Sequence, residues 1–239
     1  MEFSPITLGF ALALVLGLPV LATRGGVPDA QAEEIAGART AVYASAALSL
    51  MILSAVAFGV AWWQDVPADR LGWYVGDARP AFAWAAGVAV AGFLLAGIFV
   101  RLGSLFGLEE SPLTFALMPR TGKELRAFLV MVGVAAVGEE YLFRGFAWKV
   151  LAEPLGPWPA ALLTSVSFGL SHGYQRTVGV VRASALGLLL TLPVMWTGSL
   201  FPAIVAHFWI NAAIGVGGWK LLYPDDRIPN RNAEGEDVE

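Results

Sequence analysis

Apolar stretches of bilayer-crossing character recur along this chain from end to end, and they constrain its fold more than any other feature. Ile6–Ala22 is the first, Ala41–Trp63 the second and Ala81–Val100 the third. Leu125–Phe146, Trp158–His172, Val178–Trp196 and Pro202–Leu222 follow. A span needs about 20 residues, so the fifth stretch is short. Hydrophobic residues make up 57% of the 239 positions and charged residues only 14%, against about 25% charged in soluble domains. The prediction is an all-α protein, a polytopic transmembrane helical bundle of about seven spans, six to eight being the range. Residues 1–222 read as one integral-membrane domain, with no room for a second sizeable soluble one. Residues 223–239 read as a polar, acidic, disordered tail.

Smaller signals set orientation and exclude whole classes. No Lys or Arg precedes Arg24, so the first stretch reads as a signal anchor or first span rather than a cleaved signal peptide. Trp62, Trp63, Trp84, Trp158, Trp196 and Trp219 lie near the proposed span ends and predict an interfacial aromatic belt. Trp209 does not fit that belt. With seven spans, ten of the 15 basic residues fall on one side and four on the other, and Arg182 sits within a span. The positive-inside bias then predicts a cytoplasmic C-terminus. The net charge of −4 and the lack of a basic run exclude nucleic acid as a partner. There are no cysteines, so thiolate chemistry and thiolate metal sites are excluded. No internal repeat of the transporter kind is visible.

Against this apolar background a few polar residues stand out. Groups that ionise are costly inside a membrane and persist there for function. The chain has only two histidines. His172 closes Phe168-Gly-Leu-Ser-His172, and His207 opens His207-Phe-Trp-Ile-Asn211. The fourth stretch carries Glu139, Glu140 and Arg144. Glu140 and Arg144, at i and i+4, share a helix face and can pair. Glu139 is rotated about 100° away and can point into a cavity. An unpaired carboxylate of that kind suits general-base work. His207 and Asn211 lie one turn apart and can aim two N–H donors at one point, as an oxyanion site requires. A structural reading stands beside each: a solvated Glu140–Arg144 pair at a span end, a helix-end His172, an Asn211 that links helices.

Together these residues resemble a known family. Gly138-Glu-Glu-Tyr-Leu-Phe-Arg-Gly145 looks like the Glu-Glu-x-x-x-Arg motif of the CPBP family, the CAAX prenyl proteases and bacteriocin-processing enzymes, also called the Abi family. Phe168 and His172 match its Phe-x-x-x-His motif, and His207 and Asn211 its His-x-x-x-Asn motif. The resemblance covers about 125–222. It implies an intramembrane endopeptidase in which Glu139 activates water, His172 assists, His207 and Asn211 stabilise the oxyanion, and Glu140, Arg144 and Phe168 support them. Members are described both as glutamate-type and as metalloproteases. No cofactor is assigned; a divalent metal such as zinc, if one is used, has His172, His207 and Glu139 as its ligand set. The implied partners are membrane lipids and a peptide or protein substrate, with a C-terminal or lipidated segment as one option. The implied location is the plasma (inner) membrane of a prokaryote. The alternative is a non-catalytic membrane scaffold or immunity-type binding protein that uses the same polar cluster. Arg182 reads first as a residue snorkelling to the interface, and second as a cavity residue that binds a substrate carboxylate.

Overall fold

The computed structural model describes residues 3–24, 31–108 and 110–222, apart from the side chains of residues 23, 24 and 33. The acidic tail lies outside them. Helices dominate the described residues, and no strand occurs among them. They are α1 (Pro5–Arg24), α2 (Ala32–Gly37), α3 (Arg39–Trp63), α4 (Ala78–Leu105), α5 (Pro112–Ala116), α6 (Gly122–Glu140), α7 (Lys149–Leu155), α8 (Pro157–Leu170), α9 (Arg176–Thr197), α10 (Phe201–Ala213) and α11 (Trp219–Leu222). A π-helical stretch, Tyr141–Trp148, joins α6 to α7, and another, Ile214–Gly218, joins α10 to α11.

Local chemistry sets the starts and stops. Thr121 and Glu124 form a reciprocal capping box at the start of α6. Burial works against the Glu124 charge, but the N–H groups of Arg120 and Thr121 and the Arg39 guanidinium outweigh it. The carboxyl is held below its ordinary value. Asp77 caps α4 and Ser111 caps α5. Gly198, at φ +72°, ends α9 in the left-handed conformation.

Packing contacts fix the direction of each helix. Arg39 pairs with Glu124, Tyr43 packs on Phe128, and Gly138 lies against Ser54, so α3 and α6 run parallel. Phe82 meets Phe201 and Gly92 meets Ile210, so α4 and α10 are also parallel. Val178 meets Gly103, and Trp196 stacks on Trp84, so α9 runs antiparallel to α4. We call the end where α3, α6 and α9 begin the upper end. The chain then alternates direction through the bundle, with α1 starting at the lower end, where Ser4 bonds Gln64.

Among the described residues five helices are long and apolar enough to cross a membrane: α1, α3, α4, α9 and α10 with its continuation to Leu222. Large apolar side chains such as Leu16, Leu94 and Val130 are exposed around the bundle, as lipid contact requires and water does not. The fourth predicted stretch is diluted by the charges at its head and at Glu139 and Glu140. The fifth, α8, has 14 residues, about 21 Å of helix. It rises from the lower end and stops inside the bundle, where Phe168 abuts Gly187, the middle of α9.

The aromatic belt is one-sided. Trp62, Trp63, Trp84, Trp158 and Trp196 are exposed, and all lie at the lower end. Trp219 is the exception. It is buried, under the Arg120 guanidinium and beside Val100 and Phe115, because the last helix turns inward over the upper end. Trp209 is exposed.

The α8–α9 hairpin depends on one missing side chain. A Cβ on Gly169 would lie 1.9 Å from the Ser184 hydroxyl and 2.5 Å from the Val180 carbonyl oxygen. The second obstacle is backbone, so the helices themselves would have to part. Gly169→Ala is expected to cost about 1–3 kcal/mol, the usual range for overpacking, read as a lower unfolding temperature in detergent. Gly9→Ala, with nothing within 4 Å of the new atom, is the control and should be neutral or stabilising. Equal behaviour of the two variants would refute the close-approach account.

Candidate active site

The short α8 is what places His172 within the protein. From its end, Phe168, Ser171 and His172 face a cavity of about 670 Å³. Glu139 enters it from α6, His207 and Asn211 from α10, and Arg182 from α9. The predicted residues Glu139, His172, His207, Asn211 and Phe168 therefore share one cavity. The rest of its wall is mostly apolar and extends to the upper end through Tyr43, Phe115, Phe128 and Trp219.

Adjacent on one helix, the two glutamates have different surroundings. The Glu139 side chain is 16% exposed and lines the cavity, whereas Glu140 is fully buried behind it. Glu140 Oε1 accepts from Arg144 Nη1 at 2.9 Å and lies 2.8 Å from His207 Nδ1. Arg144 donates its Nη2 to the Gly187 carbonyl at 2.9 Å and stacks over the Phe168 ring at 4.6 Å. The Glu140–Arg144 pair is thus a buried support, not a solvated interfacial pair. The π-helix begins directly after Glu140, a widening often found at functional sites.

Each histidine is oriented by its Nδ1. His172 Nδ1 lies 2.8 Å from the Phe168 carbonyl oxygen. A carbonyl only accepts, so Nδ1 carries the proton and Nε2 is left for other work. His207 Nδ1 donates in the same way to the Glu140 carboxylate. Its Nε2 lies 3.7 Å from Glu139 Oε2. His207 therefore touches both glutamates, a link across helices that the spacing within α10 does not reveal. Phe168 separates the imidazoles, its ring centroid 4.7 Å from that of His172 and 6.2 Å from that of His207.

His172, His207 and Glu139 do not gather as a three-donor metal site. Among the described residues no group of three His, Cys, Asp or Glu side chains is close enough to hold an ion. Arg182 corrects the snorkelling expectation: it is buried and pairs with Glu110 from the loop before α5. It also donates to Gln175 Oε1 at 3.0 Å.

Comparison with known proteins agrees with the family resemblance over the same region. Residues 121–213 match the family described as type II CAAX prenyl endopeptidase Rce1-like. The uncharacterized protein YpbD of Bacillus subtilis (strain 168) is 37% identical over 78 residues, which cover 32% of this chain and 38% of YpbD. The match thus spans well under half the length of that relative. No solved structure matches this chain.

Proposed function

With residues 121–213 matching the type II CAAX prenyl endopeptidase Rce1-like family, we propose that this integral membrane protein is an intramembrane endopeptidase that hydrolyses a peptide bond with glutamate-activated water. One observation carries the reading. A carboxylate, Glu139, faces a cavity shared with His172, His207 and Asn211, while its neighbour Glu140 is fixed behind it by Arg144 and His207.

The chemistry follows from the donors. Glu139 takes a proton from water as the water oxygen bonds the carbonyl carbon. The carbonyl oxygen becomes an oxyanion, met by His207 Nε2–H and the Asn211 amide. This role needs a proton on His207 Nε2 as well as the Nδ1–H given to Glu140. As the C–N bond breaks, the proton held by Glu139 reaches the leaving nitrogen, with His172 Nε2 as relay. The mostly apolar wall suits a peptide presented from the bilayer, with or without a lipid chain. In this reading all seven apolar segments cross or enter the inner membrane of a prokaryote, and the upper end, with the C-terminus, is cytoplasmic.

The test is hydrolysis of a quenched hydrophobic peptide library by purified protein. His172→Ala is expected to lower kcat by about 10²-fold or more, the contribution of a positioned acid–base group. A His172→Ala variant as active as the parent would remove the catalytic reading and leave the scaffold one.

A further inference from the structure

Three residues beyond the motifs form a directed hydrogen-bond chain that ends in the cavity. Gly173–Gln175 is a single 3₁₀ turn between α8 and α9. Arg182 donates to Gln175 Oε1 at 3.0 Å, and Gln175 Nε2 donates to the Tyr174 hydroxyl oxygen at 2.9 Å. The order of donors and acceptors is fixed. A guanidinium has only N–H groups, so the amide oxygen must face Arg182 and the amide NH₂ must face Tyr174. Tyr174 therefore accepts from Gln175, and its own O–H proton is left to donate elsewhere. Tyr174 lines the cavity together with Glu139 and His172, its ring centroid 6.1 Å from that of His172.

The backbone around this chain is specialised for it. Arg176 sits at φ +59°, which a residue with a side chain adopts only where its surroundings impose it. That turn folds Gln175 back over the start of α9. A Cβ on Gly179 would stand 2.1 Å from the Gln175 Cβ, so only glycine leaves room for the fold-back. Arg182 is itself held by Glu110, which ties the chain to the segment before α5.

We propose that Tyr174 donates a hydrogen bond to the substrate backbone beside His172, and that Gln175 and Arg182 are positioning residues that aim its proton. The proposal takes from the hydrolase reading only that the cavity receives a peptide. The sharpest variant is Gln175→Glu. A carboxylate still accepts from Arg182 but has no N–H for Tyr174. The tyrosine proton would turn toward it and away from the cavity. Loss of one hydrogen bond predicts about a three- to tenfold weaker affinity.

The experiment measures binding of a dansylated Leu/Ala/Phe decamer to purified full-length Glu139→Gln protein, where no turnover intervenes. Tyr174→Phe and Gln175→Glu should each weaken Kd by that factor, and the two together no further. Unfolding temperatures should stay within a few degrees of the parent. In the Glu139-containing protein the same variants should raise KM and leave kcat nearly unchanged. An unchanged Kd for Tyr174→Phe, additive losses, or no saturable binding of the decamer would overturn the proposal. Kd shifts as stated in a protein that never hydrolyses peptide would overturn the hydrolase reading alone.

Discussion

Glu139→Gln is expected to lower peptide hydrolysis by about 10²- to 10⁴-fold, the span that a positioned general base contributes. The substitution keeps the shape of the side chain and a carbonyl oxygen for water to bond. It removes the ability to take a proton. The loss should therefore fall on kcat, with KM changed little, as for a group whose interaction matters in the transition state. The fold should tolerate it. The Glu139 carboxylate stands 3.7 Å from His207 Nε2, beyond normal hydrogen-bond length, and the side chain is partly exposed to the cavity. Unfolding temperature in detergent should match the parent. Activity within tenfold of the parent would mean that another group activates the water.

Arg144→Leu should produce the largest stability loss of any single change near the site. Arg144 is buried and answers three partners at once: the Glu140 carboxylate, the Gly187 carbonyl and the face of Phe168. Removing one member of a buried ion pair strands the other, at a cost of about 3–5 kcal/mol. Here the group left behind is Glu140, which keeps only His207 on Oε1 and whose second oxygen, Oε2, has no hydrogen-bond partner among the described residues. Arg144→Lys should recover little, because one ammonium cannot reproduce the planar fork that serves carboxylate, carbonyl and ring together. Removing both charges with Glu140→Gln and Arg144→Leu should cost less than Arg144→Leu alone. Thermal unfolding in detergent checks the series. An unchanged midpoint for Arg144→Leu would show that the pair is not a support.

What the sequence made legible here was polar exception. Glu139, Glu140, Arg144, His172, His207 and Asn211 stand out because each is expensive in an apolar segment. The division of the glutamates into one that faces the cavity and one that is buried follows from the helical rotation between adjacent residues. The shortness of α8 was also visible as a count. Contacts between helices were not. Nothing in the spacing of His207 and Asn211 announces that His207 bonds Glu140, or that the Phe168 ring packs between imidazoles and guanidinium. Arg182 looked like an interfacial residue because its partner Glu110 lies 72 positions away. Trp219 looked like a belt residue because the sequence does not show the last helix folding over the upper end. Nothing in the sequence singles out Tyr174. The signal that marks it in the structure is Gly179, whose reason is steric and appears only once Gln175 is seen above it.

The core beneath the glutamates has a consequence for the membrane itself. Leu142, Phe146, Leu190, Val194 and Leu200 are fully buried there, between the polar cluster and the tryptophan-ringed lower end. If water reaches Glu139 from the upper end, as the proposed reaction requires, this packed hydrocarbon plug lies beneath it rather than a second doorway. A chamber that keeps ionised side chains and water deep in a bilayer is otherwise half of a proton wire. The plug leaves that wire without its other half, so a protein with the proposed hydrolase activity would not leak protons through this chamber.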